Sequence, residues 1–125
     1  MRLLIVEDSP LVRRMYGLAF YRRDHQLVEA ANGREALEAL AASPQRFDAI
    51  LLDLRMPGMD GVEFIRAVQR MPLFDSPVIV TTSEPDSSEL LQQATALGVA
   101  AVIKKPWKPQ ELADRLQSVL QSWHP

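Results

Sequence analysis

Five side chains in this 125-residue chain have types and spacing that suit one kind of chemistry: Glu7, Asp8, Asp53, Thr82 and Lys105. Glu7 and Asp8 follow the apolar run Leu3 to Val6. Asp53 follows Ala49 to Leu52 and precedes a loop marked by Met56, Pro57, Gly58 and Gly61. Thr82 closes the run from Val78 to Thr81, and Lys105 follows Val99 to Ile103 and stands before Pro106. Carboxylates brought together repel, so a shared site needs a cation or a shared proton. Mg²⁺ suits such a site, because it takes one or two carboxylates, keeps several waters and leaves positions for phosphate oxygens. Lys105 adds a positive point charge and Thr82 a hydroxyl donor, which together meet the demands of phosphoryl transfer. Asp53 is then the natural nucleophile, forming an aspartyl phosphate. Taken singly, each residue has a plainer reading. Asp53 suits a turn hydrogen bond, Glu7 and Asp8 suit a helix N-terminus, Thr82 is a β-former and Lys105 a solvated cation.

The elements that must position these residues are short and alternate. Leu3 to Val6 reads as the first strand, and Ser9 as N-cap with Pro10 at the first turn opens a helix. Its inward face is expected to carry Leu11, Val12, Met15, Leu18 and Ala19, with Arg13 and Arg14 on the wet side. Gln26 to Ala30 is a second, weaker strand. Asn32-Gly33 leads into a helix striped by Ala36, Leu37, Leu40 and Ala41. The third strand is Ala49 to Leu52, an unbroken apolar run typical of a strand buried on both faces. A third helix runs from Gly61 to about Arg70 with Val62, Ile65 and Val68 inward. Val78 to Val80 forms the fourth strand, and Asp86 with Glu89 reads as a capping pair for a helix carrying Leu90, Leu91, Ala94 and Leu97. Val99 to Ile103 is the fifth strand. A last helix begins near Pro109 with Leu112, Leu116, Val119 and Leu120 inward, and the tail from Ser122 is expected to fray.

Five strands alternating with five helices predict an α/β fold, a doubly wound parallel sheet with helices on both faces. In strand order 2-1-3-4-5 the carboxyl ends of strands one, three, four and five are neighbours around the switch point, where such sheets bind ligands. That order brings all five side chains together. The chain reads as a single domain over residues 1–125, with an ordered core from Arg2 to Gln121, and shows no internal repeat. A net charge of −2 gives no electrostatic case for direct nucleic-acid binding. The apolar runs fall short of the roughly 18 residues that a membrane span needs. The absence of cysteine fits a reducing, cytoplasmic setting.

Glu7-Asp8 after LLIV, the run Asp53-Leu54-Arg55-Met56-Pro57-Gly58-Met59-Asp60-Gly61, Thr82 after PVIVT, and Lys105-Pro106 resemble the receiver domain of two-component response regulators. The resemblance covers nearly the whole chain, in order, and suggests the single-domain, chemotaxis-type form. It implies a flavodoxin-like fold and a phosphorylation-controlled switch rather than a turnover enzyme. Asp53 would accept a phosphoryl group from a phosphohistidine on a histidine kinase or phosphotransfer protein. Mg²⁺ would be held by Asp8 and Asp53 directly, by Glu7 through water and by the backbone carbonyl of Arg55. Lys105 would contact the phosphoryl group, Thr82 would move to bond it, and the Lys105-Pro106 bond would be cis. Arg55, Ser83 and Glu84 would modulate loss of the phosphate. A downstream partner would read the face formed by the fourth helix, fifth strand and fifth helix.

One position departs from the pattern. The family usually carries Tyr or Phe three residues before the lysine, and this chain has Val102, which has neither ring nor hydroxyl to swing. Trp107 stands where Phe is more usual and reads as a packing residue; Met56 and Met59 read as loop packing, and His25 and His124 have no assigned role. Three alternatives compete with the switch. A phosphate-independent scaffold keeps the fold without the chemistry. A haloacid-dehalogenase-like phosphatase needs a second acid two residues after the nucleophile, where Arg55 stands. A flavin binder needs a phosphate loop after the first strand, where Glu7 and Asp8 would repel phosphate.

Overall fold

The computed structural model describes residues 1–21, 25–43 and 45–123. Strands β1 (Arg2–Val6), β2 (Gln26–Ala30), β3 (Ala49–Leu52), β4 (Val78–Thr82) and β5 (Ala101–Lys104) alternate with helices α1 (Pro10–Ala19), α2 (Gly33–Ala42), α3 (Gly61–Gln69), α4 (Glu89–Ala96) and α5 (Pro109–Ser122). The sheet is parallel throughout, in the order β2-β1-β3-β4-β5. This is the expected doubly wound, flavodoxin-like arrangement.

Side-chain alternation along each strand divides the core into two layers. Leu3, Ile5, Ala49, Leu51, Ile79 and Ile103 point toward α1 and α5, where they meet Tyr16, Phe20, Leu112 and Leu116. Leu4, Val6, Ile50, Leu52, Val78 and Val80 point the other way, against residues of α2, α3 and α4. β3 lies between two neighbours and is covered on both faces, and every one of its side chains is buried. That is why its sequence is continuously apolar.

Several local expectations shift. The inward stripe of α1 is rotated by about one position: Tyr16 and Phe20 are buried, whereas Leu11 and Leu18 are 68% and 64% exposed. Val12, Met15 and Ala19 pack against the core as expected. The rings bury more apolar area than the leucines, and helical spacing from Val12 through Tyr16 to Phe20 puts them on one face. Arg13 is not on the wet side: its guanidinium donates to the Glu7 carbonyl at 2.7 Å and lies 3.5 Å from Glu29. In α2, Ala41 is exposed and Ala39 packs inward instead. The cap of α4 is Ser88, whose hydroxyl accepts from the Leu91 amide, while Asp86 is taken by Lys104 at 2.8 Å. β5 begins two residues later than expected and includes Lys104. α5 continues through Ser122 and Trp123 is half-buried; His124 and Pro125, the rest of the tail expected to fray, lie outside the described residues.

Candidate phosphoryl and metal site

The carboxyl ends of β1, β3, β4 and β5 come together because their pairing registers align: Val6 lies beside Leu52, Leu52 beside Val80, and Thr82 beside Lys104. The residues that follow therefore project from one edge. Backbone bonds continue the ladders past the strand ends, with the Asp53 amide donating to the Val6 carbonyl at 3.0 Å and the Lys105 amide to the Thr82 carbonyl at 2.8 Å.

Glu7, Asp8 and Asp53 each offer a carboxylate oxygen within 4.8 Å of the others. Glu7 is 1% exposed and Asp53 7%, whereas Asp8 is open to solvent. The Lys105 ammonium lies 2.7 Å from Glu7 Oε1 and 3.5 Å from Asp53 Oδ1. The second Glu7 oxygen accepts from the Ser9 amide at 3.2 Å. Both buried acids are held above the ordinary carboxylate range. For Glu7 and Asp53 alike, burial is the main cause and the adjacent lysine opposes it. A donor set of converging carboxylates with one lysine between them fits a hard divalent cation such as Mg²⁺.

Thr82 is buried, and its hydroxyl accepts from the Glu84 amide at 3.0 Å, which leaves the hydroxyl proton available to donate. Ser83 is exposed beside it. Arg55 and Glu84 bridge the loops after β3 and β4, with Arg55 Nη2 at 2.7 Å from Glu84 Oε1. Hydrogen bonding from Arg55 is the first cause holding the Glu84 carboxyl below its usual range. Lys104 donates to the Glu84 carbonyl on the same rim. The loop after Asp53 is set by two glycines. Gly58 has φ +77°, which favours glycine, and a Cβ on Gly61 would lie 2.8 Å from Leu54 Cα and 2.9 Å from the Asp53 carbonyl oxygen. Asp60 and Glu63 then open α3 with a reciprocal capping box, a D-x-x-E signal carried by the sequence itself. The Lys105-Pro106 bond is cis.

Val102 is half-buried and lines a hollow of about 460 Å³ with Asp86, Leu91, Gln92, Thr95 and Ala96. Trp107 is buried at 5% exposure, deeper than a partial packing role suggests, and its ring lies 4.9 Å from that of Tyr16. Tyr16 in turn is hydrogen-bonded to Thr81, a buried residue of β4. Neither of these two contacts is visible in the chain's spacing. Met56 is buried and Met59 packs against Gly33, so both methionines do pack the loop.

Parallel strands in this order with an acidic pocket at the switch point define a doubly wound ligand-binding protein, not yet a particular family. The chain belongs to the response regulator receiver domain family, whose model matches residues 3–117. It is 34% identical to a chemotaxis protein CheY homolog of Campylobacter jejuni over 122 residues, 96% of this chain and 92% of that protein. It is 33% identical to the transcriptional regulatory protein ResD of Bacillus subtilis over 96% of its own length, but spans only 48% of ResD. Among solved structures, the chemotaxis response regulator CheY4 of Vibrio cholerae superposes with a TM-score of 0.84 at 34% identity, covering 94% of this chain and 97% of that one. Receiver domains are signalling domains of two-component systems rather than turnover enzymes. They take phosphate from histidine kinases or phosphotransfer proteins and bind Mg²⁺ at an acidic pocket; in this chain Glu7, Asp8 and Asp53 form an acidic cluster. No described helix is long and apolar enough to cross a membrane.

Proposed function

We propose that the chain, as a single receiver domain over residues 1–125, is a switch in which Asp53 accepts a phosphoryl group from a phosphohistidine of a histidine kinase or phosphotransfer protein. The observation that carries this reading is the convergence of three carboxylates within 4.8 Å, with the Lys105 ammonium 3.5 Å from Asp53. An Asp53 carboxylate oxygen attacks phosphorus and forms an O–P bond as the donor N–P bond breaks. The electron pair returns to the imidazole nitrogen, and the ring leaves as neutral imidazole because its other nitrogen carries a proton. Mg²⁺ held by Asp8, Asp53 and the Arg55 carbonyl would neutralise charge on the phosphoryl oxygens. Glu7 has both oxygens engaged, by Lys105 and the Ser9 amide, which favours contact through water over direct ligation.

Lys105 is placed to turn from Glu7 to a phosphoryl oxygen, and the Thr82 hydroxyl to donate to another. Arg55, Ser83 and Glu84 form the rim through which water reaches the aspartyl phosphate, and so bear on its lifetime. A downstream protein reading the α4-β5-α5 face, in a cytoplasmic setting, completes the reading; Val102 is the position on that face whose role differs from the family pattern. Intact-mass spectrometry after incubation with acetyl phosphate and Mg²⁺ tests it. One added phosphoryl group is expected, absent from Asp53→Asn and from a sample with EDTA. Labile phosphate on the Asp53→Asn protein would refute the assignment, and no gain in any condition would favour a phosphate-independent scaffold.

A further inference from the structure

Behind the pocket, on the α1 and α5 side of the sheet, three buried side chains are joined by contacts that the phosphoryl chemistry does not use. The Tyr16 hydroxyl is hydrogen-bonded to Thr81 Oγ1 at 2.5 Å, and the Tyr16 ring packs on Trp107. Tyr16 and Thr81 are 1% and 0% exposed. The indole Nε1–H of Trp107 is buried and has no hydrogen-bond partner among the described residues. Thr81 immediately precedes Thr82, and Trp107 stands two residues after Lys105. One side chain of α1 therefore touches both segments that carry the non-acidic members of the site.

An apolar trio would fill this volume without polar atoms to satisfy. The hydroxyl pair instead makes the packing discrete: a shift of the β4 end either keeps the bond or breaks it inside the core, where an orphaned hydroxyl is costly. The pocket also acts on Tyr16 at a distance. Burial is the main reason its phenol is pushed above its usual range, and the charges of Glu7 and Asp53 add to the shift. On the opposite layer Val102, beside Val80, offers no polar atom that could respond.

We propose that the Tyr16–Thr81 bond and Trp107 form a relay that carries the state of Asp53 to the α1 and α5 face of the domain. This rests on Asp53 being the phosphoacceptor and Thr82 moving toward it. The physical requirement is a two-state element biased by the site, and the buried hydroxyl bond is that element.

The test uses Trp123→Phe protein, in which Trp107 is the only indole, and reads its emission and the intact mass in the same samples with acetyl phosphate and Mg²⁺. The parent is expected to gain one phosphoryl group and to change its Trp107 emission. Tyr16→Phe and Thr81→Val each orphan one hydroxyl and lower stability to denaturant, whereas the double variant removes both and recovers most of that loss. The double variant is nonetheless expected to gain its phosphoryl group while losing the emission change. An undiminished emission change in the phosphorylated double variant reduces the bond to packing and overturns the relay. So does a phosphorylated parent whose emission stays constant, with Asp53 still the acceptor. A parent that takes up no phosphoryl group removes the acceptor reading, and the relay with it.

Discussion

The face of the sheet covered by α1 and α5 carries a buried hydroxyl pair and an indole where it meets the ends of β4 and β5, whereas the face covered by α2, α3 and α4 carries the aliphatic pair Val80 and Val102 just before Thr82 at the end of β4. The two layers serve the same pocket differently. On the α2, α3 and α4 side, backbone geometry does the positioning: Gly58, Gly61 and the Asp60–Glu63 capping box hold the loop after Asp53. On the α1 and α5 side, side chains do it, through Tyr16, Thr81 and Trp107. An aliphatic residue in one layer thus coincides with polar and aromatic groups in the other, and the asymmetry suggests where a signal can travel.

The largest test of that contrast compares Trp107→Ala with Val102→Ala. Removing the buried indole is expected to cost about 3 kcal/mol. Val102 is half-buried beside an open hollow, and its truncation is expected to cost under about 1 kcal/mol. Denaturant melts showing equal losses would erase the distinction between the layers. Next in size is Gly61→Ala, which forces a methyl against Leu54 and the Asp53 carbonyl and is expected to cost about 2 kcal/mol, near the middle of the range for overpacking. A fully stable Gly61→Ala protein would show that the loop is not set by that close approach.

The smallest effect concerns the pocket between the layers. Glu7 and Asp53 titrate above their ordinary range in the metal-free fold, so the folded chain holds more protons than the unfolded one between the unfolded and folded pKa values. Their burial therefore costs nothing below the unfolded values, and stability is lost as pH rises through the folded ones. Melting temperature is expected to fall as metal-free protein is taken from mildly acidic to neutral pH. Mg²⁺ or the Asp53→Asn substitution should flatten that slope. A melting temperature that rises over the same interval would show that Lys105 outweighs the burial of the two acids.

Strand content, helix order and the residues that stand at the strand ends were legible in the chain because each rests on local pattern. Ala49 to Leu52 announces a doubly covered strand, and Ser9-Pro10 and Pro109 mark helix starts that occur where expected. The misreadings fall where several local solutions are equal and packing chooses between them. Leu11 and Leu18 are as apolar as Val12, yet the rings of Tyr16 and Phe20 claim the inner face of α1. Ser88 prevails over Asp86 as the cap of α4 because Lys104, far away in sequence, draws Asp86 to itself.

What the chain determined by itself was the periodicity that builds the sheet and the chemistry available at each strand end, since both depend on residue type at fixed short spacing. What only the tertiary structure decided was which distant side chains meet. Tyr16 and Thr81 are 65 residues apart, and Lys105 reaches Glu7 across 98. Contacts at that range leave no periodic trace in a single sequence, because closing them is a property of how the layers stack and not of any one element.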